Sequence, residues 1–196
     1  MCGRFFISPD DMMDDELIAL LNREKGRSDN PHPLTFGEVR PGDCAAVIAM
    51  NRRLQCSAFP MQWGYRVNQR LLINARSETA AEKPLFRESW QNRRCLIPAS
   101  GYFEWDHRER PFKKYAFRLP ERKLIYLAGL YRFEPDAPLP VFTILTRPAA
   151  EGAAQFHDRM PVIIPQAMKA SWLDRSQNPQ TLLSDAVTTV SWLLAE

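Results

Sequence analysis

Short apolar runs, separated by turn-forming residues, dominate the chain and predict a strand-rich protein. Strands are predicted over 44–50 and 56–65, joined by a turn at Asn51, Arg52 and Arg53, and over 71–73, 95–105, 113–119, 123–133, 140–146, 157–164 and 186–192. Helical spacing, or a proline near the start, predicts helices over 8–24, 85–94, 165–173 and 178–185. Because strands outnumber helices, the pattern favours an α+β fold with a curled antiparallel, β-barrel-like core and a few flanking helices.

The first helix carries its own start signals. Ser8 is predicted as the N-cap, Pro9 lies in the first turn, and acidic residues follow at the positive end of the helix dipole. The next segment, 27–43, is rich in Pro, Gly and Asn and is predicted as a long loop of the kind that carries function. Residues 74–84 are predicted to be irregular.

Length and composition are those of a globular protein. The chain has 196 residues, of which 45% are hydrophobic and 25% charged, so we expect a single domain over 1–196. Sixteen prolines argue against an all-helical bundle. We expect a monomer.

The basic residues are mostly arginine, although the net charge is only +3. Lysine accounts for six of the 26 basic residues, which leaves 20 arginines. The planar guanidinium suits phosphates and base edges better than the point charge of lysine does. The count also fits a genomic bias in composition, so charge alone leaves nucleic acid binding open.

The four cysteines, Cys2, Cys44, Cys56 and Cys95, form no CxxC pair, and the histidines lie far from them in sequence. No zinc site is therefore predicted, and we expect a protein that needs no metal and no cofactor. The chain shows no signal-like or membrane-spanning apolar run, so we expect a reduced, cytoplasmic protein that does not enter membranes. Cys44, Cys56 and Cys95 are predicted to be inert core residues.

Two stretches place polar groups against apolar strands. In "NARSET", Asn74, Arg76 and Glu78 alternate after a strand and can face one cleft, with Thr79 next to them. In "GYFEW", Glu104 lies among aromatic residues, where desolvation favours the protonated form that a general acid needs. The alternatives are a structural Arg76–Glu78 ion pair and a solvent-facing Glu104.

Two further stretches are candidates for binding or catalysis. "HDRMP" puts His157, Asp158 and Arg159 before an apolar strand, and "QWGY" puts Trp63 beside a glycine that a base or sugar can approach closely. The alternatives are that His157 and Asp158 only cap the strand and that Trp63 belongs to the core. Cys2 on its own is equally compatible with an ordinary small second residue.

The four motifs "MCGRF", "NARSET", "CLIPASGYFEW" and "HDRMPVII" occur in this order over residues 1–164. In this combination the chain closely resembles the SOS-response-associated peptidase (SRAP) family. The resemblance implies a single α+β domain with a basic cleft that binds single-stranded DNA and single-strand/double-strand junctions. It also implies covalent attachment to abasic sites through the cysteine that is exposed when Met1 is removed, here Cys2.

The resemblance assigns roles to the other motif residues. Glu104 matches the acid/base glutamate, His157 the histidine that promotes opening of the sugar ring, and Asn74 a residue that positions Cys2 and the sugar. The expected DNA contacts are Arg4, Glu38, Pro41, Trp63, Arg76, Thr79 and Arg159. Many family members carry asparagine where this chain has Glu38, which can accept hydrogen bonds from a sugar but repels phosphate.

A terminal cysteine suits this chemistry because its amine and thiol are tethered. The amine forms an imine with the sugar aldehyde, and the thiol closes a thiazolidine with the high effective concentration of an intramolecular reaction. Reference pKa values of about 7.7–8.0 for the amine and about 8.5 for a free thiol put both groups near reactivity at neutral pH. The expected function is thus shielding of abasic sites from strand cleavage by a reversible covalent link.

Two other functions remain open from the sequence. One is a hydrolase in which the N-terminal cysteine attacks peptide or amide bonds, in its smallest form the autoproteolytic removal of Met1. The other is a DNA-binding module with no covalent step.

Overall fold

The fold is α+β, as the strand and helix pattern predicts. The computed structural model describes residues 2–25, 29–108, 110–120 and 122–195. Within them, most strands join one of two sheets, and short helices flank these sheets.

The larger sheet has eight strands and closes on itself. Its strands are β3 (Cys44–Met50), β4 (Cys56–Trp63), β7 (Asn74–Arg76), β8 (Arg94–Ala99), β11 (Ile125–Arg132), β12 (Val141–Pro148), β13 (Arg159–Pro161) and β14 (Ile163–Ile164). The ring runs β12–β4–β3–β8–β11 and returns to β12, which pairs antiparallel with β11 and parallel with β4. The expected curled core is therefore a closed sheet.

The smaller sheet has five strands in the order β15–β10–β9–β1–β2. These are β1 (Arg4–Ile7), β2 (Gly37–Val39), β9 (Gly101–Asp106), β10 (Lys113–Arg118) and β15 (Ser191–Leu194). A separate hairpin consists of β5 (Tyr65–Val67) and β6 (Arg70–Leu72).

The predicted strand over 95–105 is two strands, because the chain changes sheets at Ser100. The Ser100 hydroxyl donates to Asp11 Oδ2 (2.6 Å) and accepts from the Ser8 backbone N–H (3.0 Å). The Ser100 backbone N–H donates to the Phe6 carbonyl (2.7 Å). This corner fixes β9, which carries Glu104, against β1, which follows Cys2.

The helices are α1 (Asp15–Lys25), α2 (Pro84–Asn92), α3 (Glu151–Ala154), α4 (Lys169–Leu173) and α5 (Pro179–Leu182), with 3-10 turns at Pro9–Asp11, Gln166–Met168 and Leu183–Asp185. The predicted continuous helix over 8–24 is wrong. Ser8 does accept from the Asp10 N–H, but it caps only the first 3-10 turn. The chain then breaks, and Asp14 supplies the first carbonyl acceptor of α1, while its side chain accepts from the Tyr126 hydroxyl (2.7 Å).

The core contains one deeply placed cation. Arg94 is buried at the start of β8, and its guanidinium donates to five backbone carbonyls, those of Trp90, Gln91, Trp172, Asp174 and Gln177. Carbonyls at the ends of α2 and α4 thereby gain donors that helix ends otherwise lack. No helix in the described part of the chain is long and apolar enough to cross a membrane.

Candidate active site

Cys2 lies at the base of β1 in the protein interior. Its side chain is completely buried, and its thiol is 3.9 Å from the Arg4 carbonyl oxygen. Burial, with a further contribution from the negative charge of Glu104, raises the pKa of the Cys2 thiol far above its usual value. In a chain that still carries Met1, the thiol is therefore protonated at neutral pH.

Glu104 faces inward from β9. Strand alternation puts Tyr102, Glu104 and Asp106 on the buried face and leaves Phe103 and Trp105 on the other. Only 6% of Glu104 is exposed, so the solvent-facing alternative is wrong. Burial, with a contribution from Asp158, raises the pKa of the Glu104 carboxyl group. A carboxyl group whose pKa is raised can hold a proton that an ordinary glutamate would release, as a general acid requires.

Tyr102 joins these two groups, although the sequence analysis did not single it out. Its ring is buried and stacks on Phe117 at 4.9 Å, and its hydroxyl has no hydrogen-bond partner among the described residues. Burial, followed by the charges of Cys2 and Glu104, raises the pKa of Tyr102. Its position two residues before Glu104 on the same strand was the available signal.

His157 lies half-buried between α3 and β13. Its Nδ1 accepts from the Arg159 backbone N–H at 3.0 Å and lies 2.6 Å from Asp158 Oδ1. The first contact requires a neutral ring with the proton on Nε2, and the second requires a proton on Nδ1. Burial lowers the pKa of His157, which favours the neutral ring at neutral pH.

Asn74 opens β7, a short strand within the segment predicted to be irregular. It pairs in parallel with Ile144 of β12. Both polar atoms of its side-chain amide are buried, and neither has a partner within the described residues. Since buried polar groups are almost always hydrogen-bonded, an amide in this state can receive a polar ligand.

Arg159, not Arg76, pairs with Glu78. Its two terminal nitrogens donate to the two Glu78 oxygens, one of them at 2.8 Å, and Nη2 also donates to the Thr146 carbonyl at 2.7 Å. This bidentate contact lowers the pKa of Glu78 to about 2. The Arg76–Glu78 ion pair is not formed, because Glu78 pairs with Arg159 instead. The Arg76 side chain is exposed. The hydroxyl of Thr79 is buried, and no described residue hydrogen-bonds it.

Glu38 lies at the centre of a cationic cluster on the outer face of the five-stranded sheet. Arg4 Nε is 3.2 Å and Arg40 Nε 3.3 Å from Glu38 Oε1, and the Lys114 ammonium donates to Oε2. The Lys114 hydrogen bond is the main reason that the pKa of Glu38 is lowered. The sequence analysis missed Lys114, because only the β10–β9–β1–β2 strand order brings it to Glu38.

Trp63 belongs to the core and not to the surface. Its ring is fully buried and stacks on Phe142 with centroids 6.2 Å apart, and its indole N–H donates to the Ile73 carbonyl at 3.0 Å. Trp63 therefore exposes no ring surface with which it could make the predicted DNA contact. Pro41 is partly exposed in the turn before β3.

The other cysteines carry no chemistry in this arrangement. Cys44 and Cys95 are buried, Cys56 is partly exposed, and all four cysteines are free thiols. Among the described residues, no group of three or more His, Cys, Asp or Glu side chains is placed to hold a metal ion.

Comparison with known proteins gives a consistent group of relatives. The sequence profile of the family described as SOS response associated peptidase (SRAP) matches residues 1–192. The chain is 38% identical over 200 residues to the abasic site processing protein YobE of Bacillus subtilis, which covers 94% of this chain and 87% of that protein. It is 30% identical over 182 residues to the abasic site processing protein YedK of Escherichia coli, with coverage of 88% and 79%.

Solved structures share the architecture. A protein from Bacteroides thetaiotaomicron superposes with a TM-score of 0.75 at 20% identity, covering 100% of this chain and 92% of that one. A protein from Bordetella bronchiseptica gives 0.74 at 21% identity and covers 100% of both chains. At these identities the likeness establishes the fold alone.

Proposed function

The chain belongs to the SOS response associated peptidase (SRAP) family, and from this premise we propose that it processes abasic sites in damaged DNA by capturing them covalently at Cys2. The relatives described above are named abasic site processing proteins. The observation that carries the proposal is the placement of Cys2 within electrostatic range of a buried carboxyl group, Glu104. The proposed substrate is an abasic site in single-stranded DNA or at a single-strand/double-strand junction.

The reaction begins when Met1 is removed and the Cys2 nitrogen becomes a free amine. This amine adds to the aldehyde carbon of the open sugar, and loss of one water gives an imine. The Cys2 sulfur then adds to the same carbon, and its proton moves to the nitrogen, which closes a five-membered thiazolidine. The product weighs protein plus DNA minus one water, and its tetrahedral carbon no longer promotes cleavage of the strand.

Glu104 is the proton carrier in this scheme. Loss of water from the first adduct requires an acid, and attack by sulfur requires a base, because burial keeps the thiol protonated. A carboxyl group with a raised pKa can serve in both steps, and in the reverse reaction. The nearby Tyr102 is held neutral by burial and closes the apolar wall of the site.

His157 and Asn74 act on the sugar. A neutral His157 can take a proton from a sugar hydroxyl and so promote ring opening. The buried amide of Asn74 offers a donor and an acceptor that the described residues leave unsatisfied. Thr79 offers a third such group, so the sugar has polar partners on the β7 side of the site.

Arginines supply the charge that attracts the DNA backbone. Arg76 is exposed, Arg4 and Arg40 lie beside Glu38 on the outer face of the five-stranded sheet, and Arg159 lies next to His157. Phosphate contacts of this kind bind DNA without regard to sequence and weaken as salt rises. We propose that the protein acts as a monomer and associates with the nucleoid when it is bound to DNA.

The test uses an oligonucleotide with one abasic site and the purified chain, whose intact mass shows whether Met1 is absent. The proposal requires a product that survives denaturing electrophoresis and has the mass of protein plus DNA minus one water. A hydrolase would leave the oligonucleotide unlinked, and a binding module would shift it only in a native gel. Absence of a stable product from a chain that lacks Met1 would refute covalent capture.

A further inference from the structure

A second cavity lies away from the proposed active site. It has a volume of about 840 Å³, which is within the usual range for small-molecule sites. It begins at the turn between β3 and β4 and reaches the ends of α2 and β11. None of the predicted site residues lines it.

Three arginines that line this cavity, Arg52, Arg53 and Arg175, are termed here the basic edge. All three are exposed, and among the described residues no acidic side chain forms an ion pair with any of them. Glu88 is the acid that lines the cavity, and Arg93 already holds it at 3.0 Å. The basic edge therefore carries positive charge that an anionic ligand can neutralise.

The lining of the same cavity also offers an exposed aromatic face. Phe133 is 65% exposed, and its ring meets Tyr131 edge-on with centroids 6.1 Å apart. The Arg93 guanidinium lies 5.5 Å from the Phe133 centroid. Phe59 and Met61 continue the apolar lining. A planar ring can stack in this setting, because both an aromatic face and a guanidinium plane accept one.

We propose that this cavity binds a nucleotide, with its base against Phe133 and its phosphate on the basic edge. A ligand with both a base and a phosphate fits this lining. Inorganic phosphate would leave the Phe133 ring uncovered, and an uncharged ring would leave the arginines without a counter-charge. The nucleotide can be a free nucleoside monophosphate or one unit of a DNA strand. The inference does not rest on the Cys2 chemistry and goes beyond the proposed function.

The experiment measures binding of four probes at one fixed ionic strength: thymidine monophosphate, an oligothymidylate, inorganic phosphate and an acidic peptide. None carries an aldehyde, so covalent capture does not contribute. The variants are Arg52→Ala/Arg53→Ala, Phe133→Ala and, as a matched control that keeps the ring, Phe133→Tyr. Arg122→Ala is the charge control, because Arg122 is exposed, bonds Gln166 and lies outside the cavity.

The expected result is that a thymidine probe binds more tightly than phosphate or the peptide. The double arginine variant should weaken that binding about tenfold, and Phe133→Ala at least about fivefold, the lower end of what one stacked base contributes. Phe133→Tyr and Arg122→Ala should bind as the parent does. Weakening for both thymidine probes assigns the site to a free nucleotide, and weakening for the oligothymidylate alone assigns it to a strand.

Three outcomes would overturn the inference: no effect of the cavity variants on either thymidine probe, equal binding of phosphate or the acidic peptide, or no effect of Phe133→Ala. Covalent capture at saturating DNA should remain at the parental level in every variant. A loss of capture in the parent chain itself would concern the proposed function and not this cavity.

Discussion

Cys2 and Glu104 interact inside the protein, and the negative charge of Glu104 adds to burial in raising the pKa of the Cys2 thiol. Strand register accounts for their proximity, because Arg4 pairs with Phe103 and the segment before Arg4 therefore runs alongside Glu104. The charge of Glu104 thus discourages ionisation of the Cys2 thiol. In the proposed mechanism, Glu104 can therefore exchange protons with the terminal residue.

Replacing Glu104 by Gln should slow both capture and release of an abasic site by about 10²–10⁴-fold, the usual range for loss of a general acid/base. The amide keeps the shape of the side chain but cannot transfer the proton. Single-turnover band-shift kinetics measure both directions. Asp106→Asn is the matched control, because Asp106 lies on the same face of β9 but is bound by Arg108, with its pKa lowered to about 2. Equal rates for Glu104→Gln and the parent would remove Glu104 from the mechanism.

Glu104→Gln should also stabilise the fold, and this effect depends on pH. The folded state raises the pKa of Glu104, so the native carboxyl group binds a proton that the unfolded chain has already lost. The free-energy cost of ionising Glu104 in the folded protein is absent below the pKa that Glu104 has in the unfolded chain. This cost grows as pH rises through the pKa that Glu104 has in the folded state. At neutral pH we therefore expect Glu104→Gln to raise Tm, by about 2–4 °C for each 1 kcal/mol gained in a chain of this size. Thermal melts at pH 4 and pH 7.5 should show the gain only at the higher pH.

The amine and the thiol of Cys2 must belong to the same terminal residue. The chain without Met1 should give a stable adduct, whereas Cys2→Ser should give only a reducible imine and nicked DNA. A form with one residue retained ahead of Cys2 keeps the thiol but not the amine, so it should give no adduct that survives denaturation. Mass spectrometry and denaturing gels compare the three. A stable adduct from the extended form would contradict the thiazolidine.

His157→Ala should separate sugar opening from ring closure. Capture of a natural abasic site, which is mostly ring-closed, should slow by about 10²-fold, as expected for loss of a proton-transfer group. Capture of an oligonucleotide with an open-chain aldehyde should change little. Parallel rate measurements on the two substrates decide the point, and equal slowing on both would assign His157 a structural or general binding role.

Glu38→Gln should strengthen binding of undamaged single-stranded DNA by about three- to tenfold at low salt. The change releases Arg4, Arg40 and Lys114 from a shared carboxylate, so one more phosphate can be neutralised. The slope of log affinity against log salt should steepen by about 0.7, the value per phosphate for single strands. Arg76→Ala should change affinity and slope in the opposite direction. Unchanged affinity in a salt titration of Glu38→Gln would mean that these cations do not face the DNA.

The sequence predicts where the strands of this fold lie along the chain better than it predicts which strands are adjacent in the sheets. The hairpin at Asn51 is correctly predicted because the Asn51 side chain accepts from the Arg53 and Gln55 N–H groups, a local turn interaction that sequence can reveal. The switch at Ser100 is not predictable in this way, because it depends on contacts with Ser8 and Asp11, about 90 positions away in the chain.

The candidate site shows the same division. The motif "GYFEW" predicts a desolvated Glu104, and the structure confirms its burial but puts Phe103 and Trp105 on the opposite face of the strand. The alternative of an Arg76–Glu78 ion pair is not borne out, because Arg159, far away in sequence, reaches Glu78 where β7 and β13 both pair with β12. Lys114 was missed for the same reason. The sequence therefore identifies the residues of the site. Which charged side chains pair with each other depends on how distant strands pair in the sheets.

The guanidinium of Arg94 affects how the protein unfolds locally. Five carbonyls from two helix ends and the following loop share one side chain, so neither end can fray without leaving buried acceptors unsatisfied. The ends of α2 and α4 therefore form one cooperative unit in local unfolding. Arg93 and Arg175, which line the cavity described above, are sequence neighbours of this unit, so local unfolding of the unit should alter the cavity as well.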